Sequence, residues 1–473
     1  MLFNSTTFGL FFCVVFVVAW ALRSSLGLRN AFLLGASWWF YGQWSWRFLG
    51  LILFSTVLDY SIGLVLDRHR DPVAHRRVRH LAITASLLGN LGVLAFFKYW
   101  NFFAGEAVDL LTALGLETGP IFTDVILPVG ISFYTFQTLS YTIDLYRGQI
   151  EVERSLPRFA LFVAFFPQLV AGPIVRARDF LPQLRQPPRL SQGELEAGLT
   201  QIFQGLLKKV AIADVLGRSL VDPFWADPSA AGGGWLSLLA IYGYAFQIYG
   251  DFSGYSDIAI GAARLLGFDL GVNFRSPYRS ASFKELWTRW HISLSSWLRD
   301  YLYVPLGGNR KGSARTSINL QLTMLLGGLW HGASWMFVAW GAWHGAMLAT
   351  ERRLGLHAHA AGPTLWLRRF VVFHLVCLGW VLFRSVDLAA ATAVLGSLVS
   401  APSSGAIAQL GWLPLVVLAV AAVTHLAPDA WTERVRAGFT SLPTLVQGAA
   451  YGGVLLLLAA VQRGETPFIY FQF

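Results

Sequence analysis

The stretch TMLLGGLWHGASWMFVAWGAWHGAML (residues 323–348) contains no Asp, Glu, Lys or Arg, yet it holds two histidines. An apolar run of this length is long enough to enter or cross a bilayer. Further apolar runs recur along the chain, at 8–22, 49–66, 81–97, 125–143, 235–250, 369–383, 413–427 and 449–461. The pattern predicts an all-α polytopic membrane protein with about eleven transmembrane helices.

The overall composition indicates the same class of protein. Hydrophobic residues make up 55% of the chain and charged residues only 13%, whereas soluble domains carry about a quarter charged residues. The net charge of +10 comes from Arg and Lys in loops, as expected if those loops are cytoplasmic, so it does not indicate nucleic-acid binding. Cys13 and Cys377 lie inside apolar runs and predict neither a disulfide nor a zinc site, and no other metal site is expected.

No linker long enough to separate soluble domains interrupts the chain, so residues 1–473 are expected to form one integral-membrane domain. Two segments are not expected to be ordinary spans. The run at 158–175 ends in Ala-Gly-Pro, which fits either a stretch that dips into the bilayer or a short span. The segment 282–303 has a capping-box start, Ser282 with Glu285, and apolar residues at helical spacing over an arc of roughly 120°. We expect one amphipathic helix here, at an interface or in a protein-lined cavity.

Three histidines are candidates for chemistry. His291 falls beside the apolar arc of the amphipathic segment, and His331 is flanked by glycines inside the apolar stretch. Ionisable groups at membrane depth usually mark pathways or reaction sites, and a neutral imidazole can act as a general base. A histidine packed in a helix bundle and bonded to a carbonyl is the alternative. His344 repeats the Trp-His-Gly-Ala of His331, but on one continuous helix the two would lie nearly 20 Å apart. The residues alone do not choose between them.

Several longer motifs resemble the membrane-bound O-acyltransferase family, and most closely its bacterial alginate O-acetyltransferase branch. They are RWHISLSSWLRDYLYVPLGGNRKG (289–312), LLGGLWHGASWMFVAWGAWHG (325–345), LPVGISFYTFQTLSYTIDLYRG (127–148), FPQLVAGPIVR (166–176) and the run at 242–280. Together these motifs cover most of residues 125–351. The resemblance implies a ring of helices with re-entrant and interfacial helices around a central funnel, and transfer of an acyl group from a thioester to a hydroxyl. It also implies that His331 is the catalytic histidine and that His291 is the second motif histidine.

For this branch, the resemblance implies transfer of acetyl from a cytoplasmic donor toward hydroxyls of an exported polysaccharide such as alginate, in the bacterial inner membrane, and acetyl-CoA is the expected donor. It further implies a partner acetyltransferase in the periplasm or anchored to the membrane, and no bound cofactor. We assign donor binding to Arg289, Arg299 and Lys284, with Arg310 as a further candidate, since basic side chains hold phosphates. The alternative is that the charges of these four residues only set the orientation of the protein in the membrane.

Two other functions remain open on the sequence. One is transfer of another acyl group, such as D-alanine to teichoic acid from a carrier protein, because relatives with that activity share Trp-His-Gly. The other is a transporter, because intramembrane histidines and broken helices also occur there. The absence of an internal repeat in the hydropathy pattern argues against the transporter.

Overall fold

The computed structural model describes residues 1–116, 119, 124–169, 172–228, 233–356, 361–401, 410–461 and 468–469. Within these ranges every regular element is a helix, which confirms the all-α class. The chain divides into two compact units. The first comprises Phe3–Leu195 with Ala262–Gly271, and the second Glu196–Gly261 with Val272–Phe473. The single domain expected from the sequence stays a prediction.

The first unit is built from four long or medium helices, a fully packed fifth helix and three short ones. These are α1 (Thr6–Ala21), α2 (Leu26–Gly42), α3 (Trp46–Arg68), α4 (Arg76–Ala113), α5 (Ile131–Tyr146), α6 (Leu156–Ala164), α7 (Phe166–Leu169) and α8 (Ala177–Phe180). Helices α3, α4 and α5 pack on one another, and almost every residue of α5 is buried.

The helices from residue 192 onward include several short pieces between longer ones. They are α9 (Gln192–Leu206), α10 (Asp214–Leu216), α11 (Asp222–Ala226), α12 (Gly234–Leu265), α13 (Phe283–Trp287), α14 (Ile292–Leu298), α15 (Gly312–His331), α16 (Trp335–Arg353), α17 (Gly362–Arg384) and α18 (Leu388–Ser397), followed by Leu413–Leu426, Asp429–Thr440 and Thr444–Val461. Wider π-helical turns at Leu207–Ala213, Gly217–Val221 and Arg299–Tyr303 interrupt this order.

Three helices of the described chain, α3, α4 and α17, are long and apolar enough to cross a membrane. A fourth crossing results if Leu413–Leu426 and Asp429–Thr440, which meet at a 100° bend, count as one broken span. These helices make the chain a multi-pass membrane protein. The predicted total of about eleven is larger than the number that helix length and composition identify by themselves.

The run at 158–175 does not form one continuous helix. Helix α6 ends at Ala164, Phe165 is extended with ψ 112°, and α7 follows for four residues. Pro167 has no N–H to continue the α6 hydrogen-bond pattern, which accounts for the break. Val170 and Ala171 lie outside the described residues. The broken and buried described part favours the stretch that dips into the bilayer over the ordinary short span.

Two arginines that the sequence analysis counted among loop charges are buried in the first unit. Arg29 is 1% exposed, donates to the carbonyl of Leu266 and lies over the ring of Phe268. Arg79 donates to the carbonyls of His69 (3.0 Å) and Tyr146 (2.6 Å) near the ends of α3 and α5. Because the last carbonyls of a helix lack partners within it, these guanidiniums satisfy backbone groups. Both arginines therefore have a structural role.

Helices α15 and α16 pack antiparallel with their backbones in direct contact. A Cβ added at Gly328 would lie 2.2 Å from the carbonyl oxygen of Phe337, and one at Gly341 would lie 2.3 Å from that of Met324. Further along, Gln321 donates from its side chain to the carbonyl of Ala342 (3.1 Å). Only glycine allows this approach, since any side chain would push the two helices apart.

We therefore expect Gly328→Ala and Gly341→Ala to destabilise the protein by at least about 1–3 kcal/mol, the usual result of overpacking. The measurement is the midpoint of thermal unfolding of the detergent-purified protein. Gly50→Ala in α3 is the matched control, because nothing lies within 4 Å of a Cβ at that position. Unfolding midpoints equal to that of the control would contradict this account of the α15–α16 contact.

Candidate active site

A tight turn brings His331 and His344 into one cluster. His331 is the last residue of α15, Gly332 is extended, and Ser334 begins α16 by accepting a hydrogen bond from Met336 N (3.2 Å). The two histidines therefore lie on neighbouring antiparallel helices, and not nearly 20 Å apart on one continuous helix. The ring of Trp340 is 5.0 Å from that of His331 and 4.6 Å from that of His344, between centroids.

The imidazole of His331 lies in an aromatic enclosure in the second unit. Its ring centroid is 5.1 Å from Trp330, 5.0 Å from Trp340 and 5.4 Å from Phe383, and the residue is 5% exposed. In each of these three pairs the two ring planes are steeply inclined to each other, so the edge of one ring meets the face of the other. Such walls hold the imidazole in one orientation and exclude bulk water from it.

His291 lies at a break in the predicted amphipathic helix. The expectation of one helix over 282–303 is wrong, because α13 ends at Trp287 and α14 begins at Ile292. The predicted start is right, as Ser282 Oγ accepts from Glu285 N (3.0 Å). Between the two helices His291 adopts the left-handed conformation, with φ 42°. A non-glycine residue in that region costs about 1–3 kcal/mol, so the surrounding contacts must hold it there.

Asn273 supplies those contacts. Its carbonyl accepts from Ile292 N (2.9 Å), and its side-chain Oδ1 accepts from Ser293 N (3.2 Å) and Ser293 Oγ (2.9 Å). The backbone N–H of Ser293 can only donate, which identifies the atom facing it as the amide oxygen. His291 Nδ1 lies 3.2 Å from the same oxygen and must therefore carry the proton. The lone pair of the ring is then on Nε2.

His291 is completely buried, and that burial lowers its pKa to about 3. It therefore stays neutral at physiological pH and offers Nε2 as a hydrogen-bond acceptor. The ring of Trp330 lies 6.1 Å from His291 and 5.1 Å from His331. The same indole thus contacts both of the histidines that the family resemblance selected.

His344 has a different setting from the other two. Its ring packs against Phe283 (5.5 Å), Trp287 (5.3 Å) and Trp340 (4.6 Å), and it is 1% exposed. Among the residues that the structure describes, neither ring nitrogen has a hydrogen-bond partner. The contacts of His344 are therefore those of a packed aromatic ring that joins α13 to α16.

A cavity of about 580 Å³ is lined by Trp287, which packs against His344, but by none of the three candidate histidines. Three exposed basic residues border it, Lys284, Arg299 and Arg352, and its walls include Trp287, Leu298, Met324 and Leu348. Met324 lies seven residues before His331 on α15, about 10 Å along the helix. The cavity combines basic and apolar surface and reaches the helix that carries His331.

The four basic residues singled out on the sequence are not all at this cavity. Lys284 and Arg299 line it, and Arg299 is also paired with Asp300 (2.7 Å). Arg289 is held by Glu285 (2.9 Å) and donates to the carbonyl of Arg275. Arg310 donates to backbone carbonyls, among them that of Gly307 (3.4 Å). Neither Arg289 nor Arg310 is part of the lining.

The sequence analysis missed three residues of this region. Asn273 orients His291, Arg352 borders the cavity, and Glu351 is 7% exposed and accepts from the backbone N–H groups of Phe283 and Lys284 at the start of α13. Asn273 lies within the 242–280 motif, which was the only signal for it. The described residues contain no group of three or more His, Cys, Asp or Glu that would hold a metal ion.

Comparison with known proteins identifies the class. The sequence profile of the membrane-bound O-acyltransferase family matches residues 44–373. The chain is 41% identical, over the whole of both chains, to the probable alginate O-acetylase AlgI of Pseudomonas putida. It is 34% identical to the peptidoglycan O-acetyltransferase of Helicobacter pylori, over 84% of this chain and 80% of the other. It is 30% identical to the teichoic acid D-alanyltransferase of Streptococcus thermophilus, over 54% of this chain and 68% of the other.

This chain belongs to the membrane-bound O-acyltransferase family, as the sequence motifs indicated. It is an acyltransferase, which decides against the transporter.

The role of Asn273 can be tested by a double-mutant cycle. We expect Asn273→Ala to lower acyl transfer about tenfold or more, because it removes a buried hydrogen-bond partner of His291. In a His291→Ala background the same change should cost little further activity, since Asn273 acts through the imidazole. Rates of acyl transfer by purified protein, normalised to folded protein, give the cycle. If the fold-losses in rate of the two single variants multiplied in the double variant, Asn273 would not act through His291.

Proposed function

We propose that this acyltransferase moves an acetyl group from acetyl-CoA toward hydroxyls of an exported cell-surface polysaccharide such as alginate. The observation that carries the proposal is that His331 and His291 both pack against Trp330, next to a cavity that has a basic border and is lined by Ile292, the residue after His291. The similarity to the probable alginate O-acetylase over both full chains supports acetyl as the acyl group.

In the proposed reaction His331 is the general base. Its imidazole accepts the proton of the attacking hydroxyl, and the hydroxyl oxygen forms a bond to the thioester carbonyl carbon. The carbon–sulfur bond then breaks, and the departing thiolate takes a proton, which leaves an ester and free CoA. General-base assistance of this kind contributes about 10²–10⁴-fold. We assign His291 to positioning the acceptor or the reacting group through Nε2.

The cavity is the proposed donor site. Lys284, Arg299 and Arg352 suit the phosphates of CoA, because guanidinium and ammonium groups hold phosphate oxygens by charge and hydrogen bonds. The apolar wall formed by Leu298, Met324 and Leu348 suits the pantetheine arm, and Met324 lies on α15, the helix that ends at His331. Arg289 and Arg310 lie outside the lining and are not assigned to the donor here.

We further propose that the shorter helices complete about eleven membrane crossings in a ring around a central funnel, in the bacterial inner membrane. The basic loops would then lie on the cytoplasmic side, where acetyl-CoA is available. A partner acetyltransferase, in the periplasm or anchored to the membrane, would pass the acetyl group to the polymer.

D-alanine transfer from a charged carrier protein is the competing activity. The D-alanyltransferase relative supports it, but its match covers only 54% of this chain. Purified protein offered labelled acetyl-CoA and a D-alanyl carrier protein separates the two. Transfer from the carrier alone would overturn the acetyl proposal.

The two histidines of the Trp-His-Gly-Ala repeats should differ in effect. We expect His331→Gln to lower polymer acetylation by at least about a hundredfold, the lower end for losing a general base, without loss of folded protein. His344→Gln is the control, with a smaller loss that follows stability, because within the described part of the chain His344 packs against aromatic rings and has no hydrogen-bond partner. Acetylated polymer and the unfolding midpoint are measured for each variant. If His344→Gln abolished transfer while His331→Gln retained it, the assignment would be reversed.

The donor site makes a separate kinetic prediction. The double variant Arg299→Gln/Arg352→Gln should raise KM for acetyl-CoA about tenfold or more and change kcat little, since the lost contacts bind ground state and transition state alike. Steady-state rates against acetyl-CoA concentration give both constants. Arg310→Gln is the matched control outside the cavity. An equal rise in KM for that control, or a fall in kcat alone, would rule out the cavity as the donor site.

A further inference from the structure

A second cavity, of about 190 Å³, lies within the second unit and shares no described lining residue with the cavity assigned to the donor. Its lining runs from exposed to buried side chains. Asp222 is 52% exposed and pairs with Arg384 (2.7 Å), whereas Lys209 and Asp214 are 1% and 3% exposed and pair with each other (2.8 Å). The cavity therefore leads from the protein surface to a buried polar floor, and the proposed acyl-transfer mechanism makes no use of it.

Two oxygen atoms of the lining residues have no hydrogen-bond partner in the described part of the chain, Oδ2 of Asp214 and Oε1 of Gln247. A buried polar atom without a partner is costly, so a molecule in the cavity, water or ligand, has to supply one. The carboxyl group of Asp214 needs this partner in either protonation state, since its oxygens accept hydrogen bonds when ionised and one of them donates when protonated. A hydroxyl group suits both states, because it can donate and accept.

The formal charges of the described lining cancel. Three basic and three acidic side chains line the cavity: Lys209, Arg218, Arg384, Asp214, Asp222 and Asp251. A lining of one sign would attract ligands of the opposite charge, as the basic border of the donor cavity does. A balanced lining that also carries the amide of Gln247 suits a neutral surface rich in hydroxyl groups.

The two cavities lie toward opposite ends of α17. Three contacts show that α16 and α17 run antiparallel: Phe337 with Phe383 (4.8 Å), Trp340 with Trp380 (6.2 Å) and Trp343 Nε1 with the carbonyl oxygen of Leu375 (2.9 Å). Arg352 of the donor cavity is therefore level with the first part of α17, whereas Arg384 of the second cavity is its last residue. At 1.5 Å per residue the two arginines are about 20–25 Å apart along the helices. Because α17 is long and apolar enough to cross a membrane, the cavities would face opposite sides of it.

The second cavity is at the end of α17 that contacts His331. Phe383 directly precedes the lining residue at this end, and its ring is 5.4 Å from that of His331. Phe252 directly follows the lining residue Asp251, and its ring is 4.6 Å from that of His291. One aromatic residue thus links the lining to each of the two imidazoles.

We infer that this cavity binds one sugar residue of the acceptor polymer, through hydrogen bonds between its hydroxyls and the side chains of Asp214 and Gln247. The inference rests on the proposed function, in which the donor is bound at the other end of α17. It adds that the polymer contacts this chain itself, and not only the partner acetyltransferase. The bound sugar would be held on the side of the two histidines that is away from the donor.

The size and the number of polar groups favour a sugar over other occupants. A cavity of about 190 Å³ is much larger than a site for one or two structural waters, each of which needs about 10–15 Å³, and smaller than the roughly 300–1,000 Å³ of pockets for drug-sized ligands. A serine side chain of the partner would bring a single hydroxyl to this lining. A sugar residue brings several hydroxyls, which match several polar side chains.

The test measures binding of a labelled, unacetylated alginate oligosaccharide to the full-length protein in detergent, by equilibrium dialysis without acetyl-CoA. We expect saturable binding that unlabelled oligosaccharide competes. Gln247→Leu should weaken this affinity at least about tenfold, because it removes the amide and keeps most of the side-chain volume. Since Gln247 Oε1 has no partner in the described residues to lose, this variant should fold even if Asp214→Asn, which alters the buried pair with Lys209, does not.

Gln201→Leu is the matched control, because Gln201 donates to Asp257 (3.2 Å) outside the lining. It should leave the oligosaccharide affinity unchanged. The KM for acetyl-CoA should stay unchanged in Gln247→Leu, since Gln247 does not line the donor cavity.

Absence of saturable binding in the unsubstituted protein would overturn the inference and leave the cavity to water or to a hydroxyl of the partner. Unchanged affinity in Gln247→Leu would overturn it as well. Either result together with normal acetyl transfer to the polymer, measured with the partner present, would leave the proposed function intact. Oligosaccharide binding without acetyl transfer from acetyl-CoA would instead overturn the proposed function and support the sugar site.

Discussion

The backbone contact between α15 and α16 is the constraint on which the arrangement of the candidate site depends. Gly328 and Gly341 let the two helices approach until a Cβ would collide with a carbonyl oxygen. At that separation the turn at Gly332 is short enough to place His331 against Trp340 of the returning helix. Larger residues at these positions would widen the helix pair and open the aromatic enclosure to water.

A second constraint is the conformation of His291. A left-handed histidine interrupts what would otherwise be a regular amphipathic helix, and the hydrogen bonds of Asn273 offset that strain. The same amide oxygen determines which ring nitrogen carries the proton. Backbone geometry and the protonation of a candidate site residue are thus controlled by one side chain, eighteen positions earlier in the sequence.

Buried polar groups outside the site follow the rule that a membrane protein must provide its own partners. In the second unit Lys209 bridges Asp214 (2.8 Å) and Asp251 (2.5 Å), so that a buried ammonium is paired with two carboxyl groups. In the first unit Arg29 and Arg79 satisfy backbone carbonyls. Asp59 is different because the described partners of its carboxyl group, Ser86 and Asn90, are neutral.

The sequence by itself determined the all-α class, the membrane setting, the family and the identity of the candidate histidines. Hydropathy is a property of each residue, and the Trp-His-Gly motif is contiguous in the chain. Both can therefore be recognised without a structure. The start of α13 was also predictable, because an N-cap bond links residues only three positions apart. The predicted number of membrane crossings was not reproduced by counting the helices that are long enough to span a bilayer, because many helices here are short or broken.

Only the tertiary structure decided which residues share a site. The meeting of His331 and His344 at Trp340 depends on two glycines that admit a close helix pair, and no periodicity predicts it. The break at His291 comes from Asn273, and the surroundings of Asp59 come from two other helices. Local sequence specifies helices through short-range hydrogen bonds and side-chain spacing. It does not specify which distant side chain lies opposite a buried polar atom, because that partner is selected by packing in three dimensions.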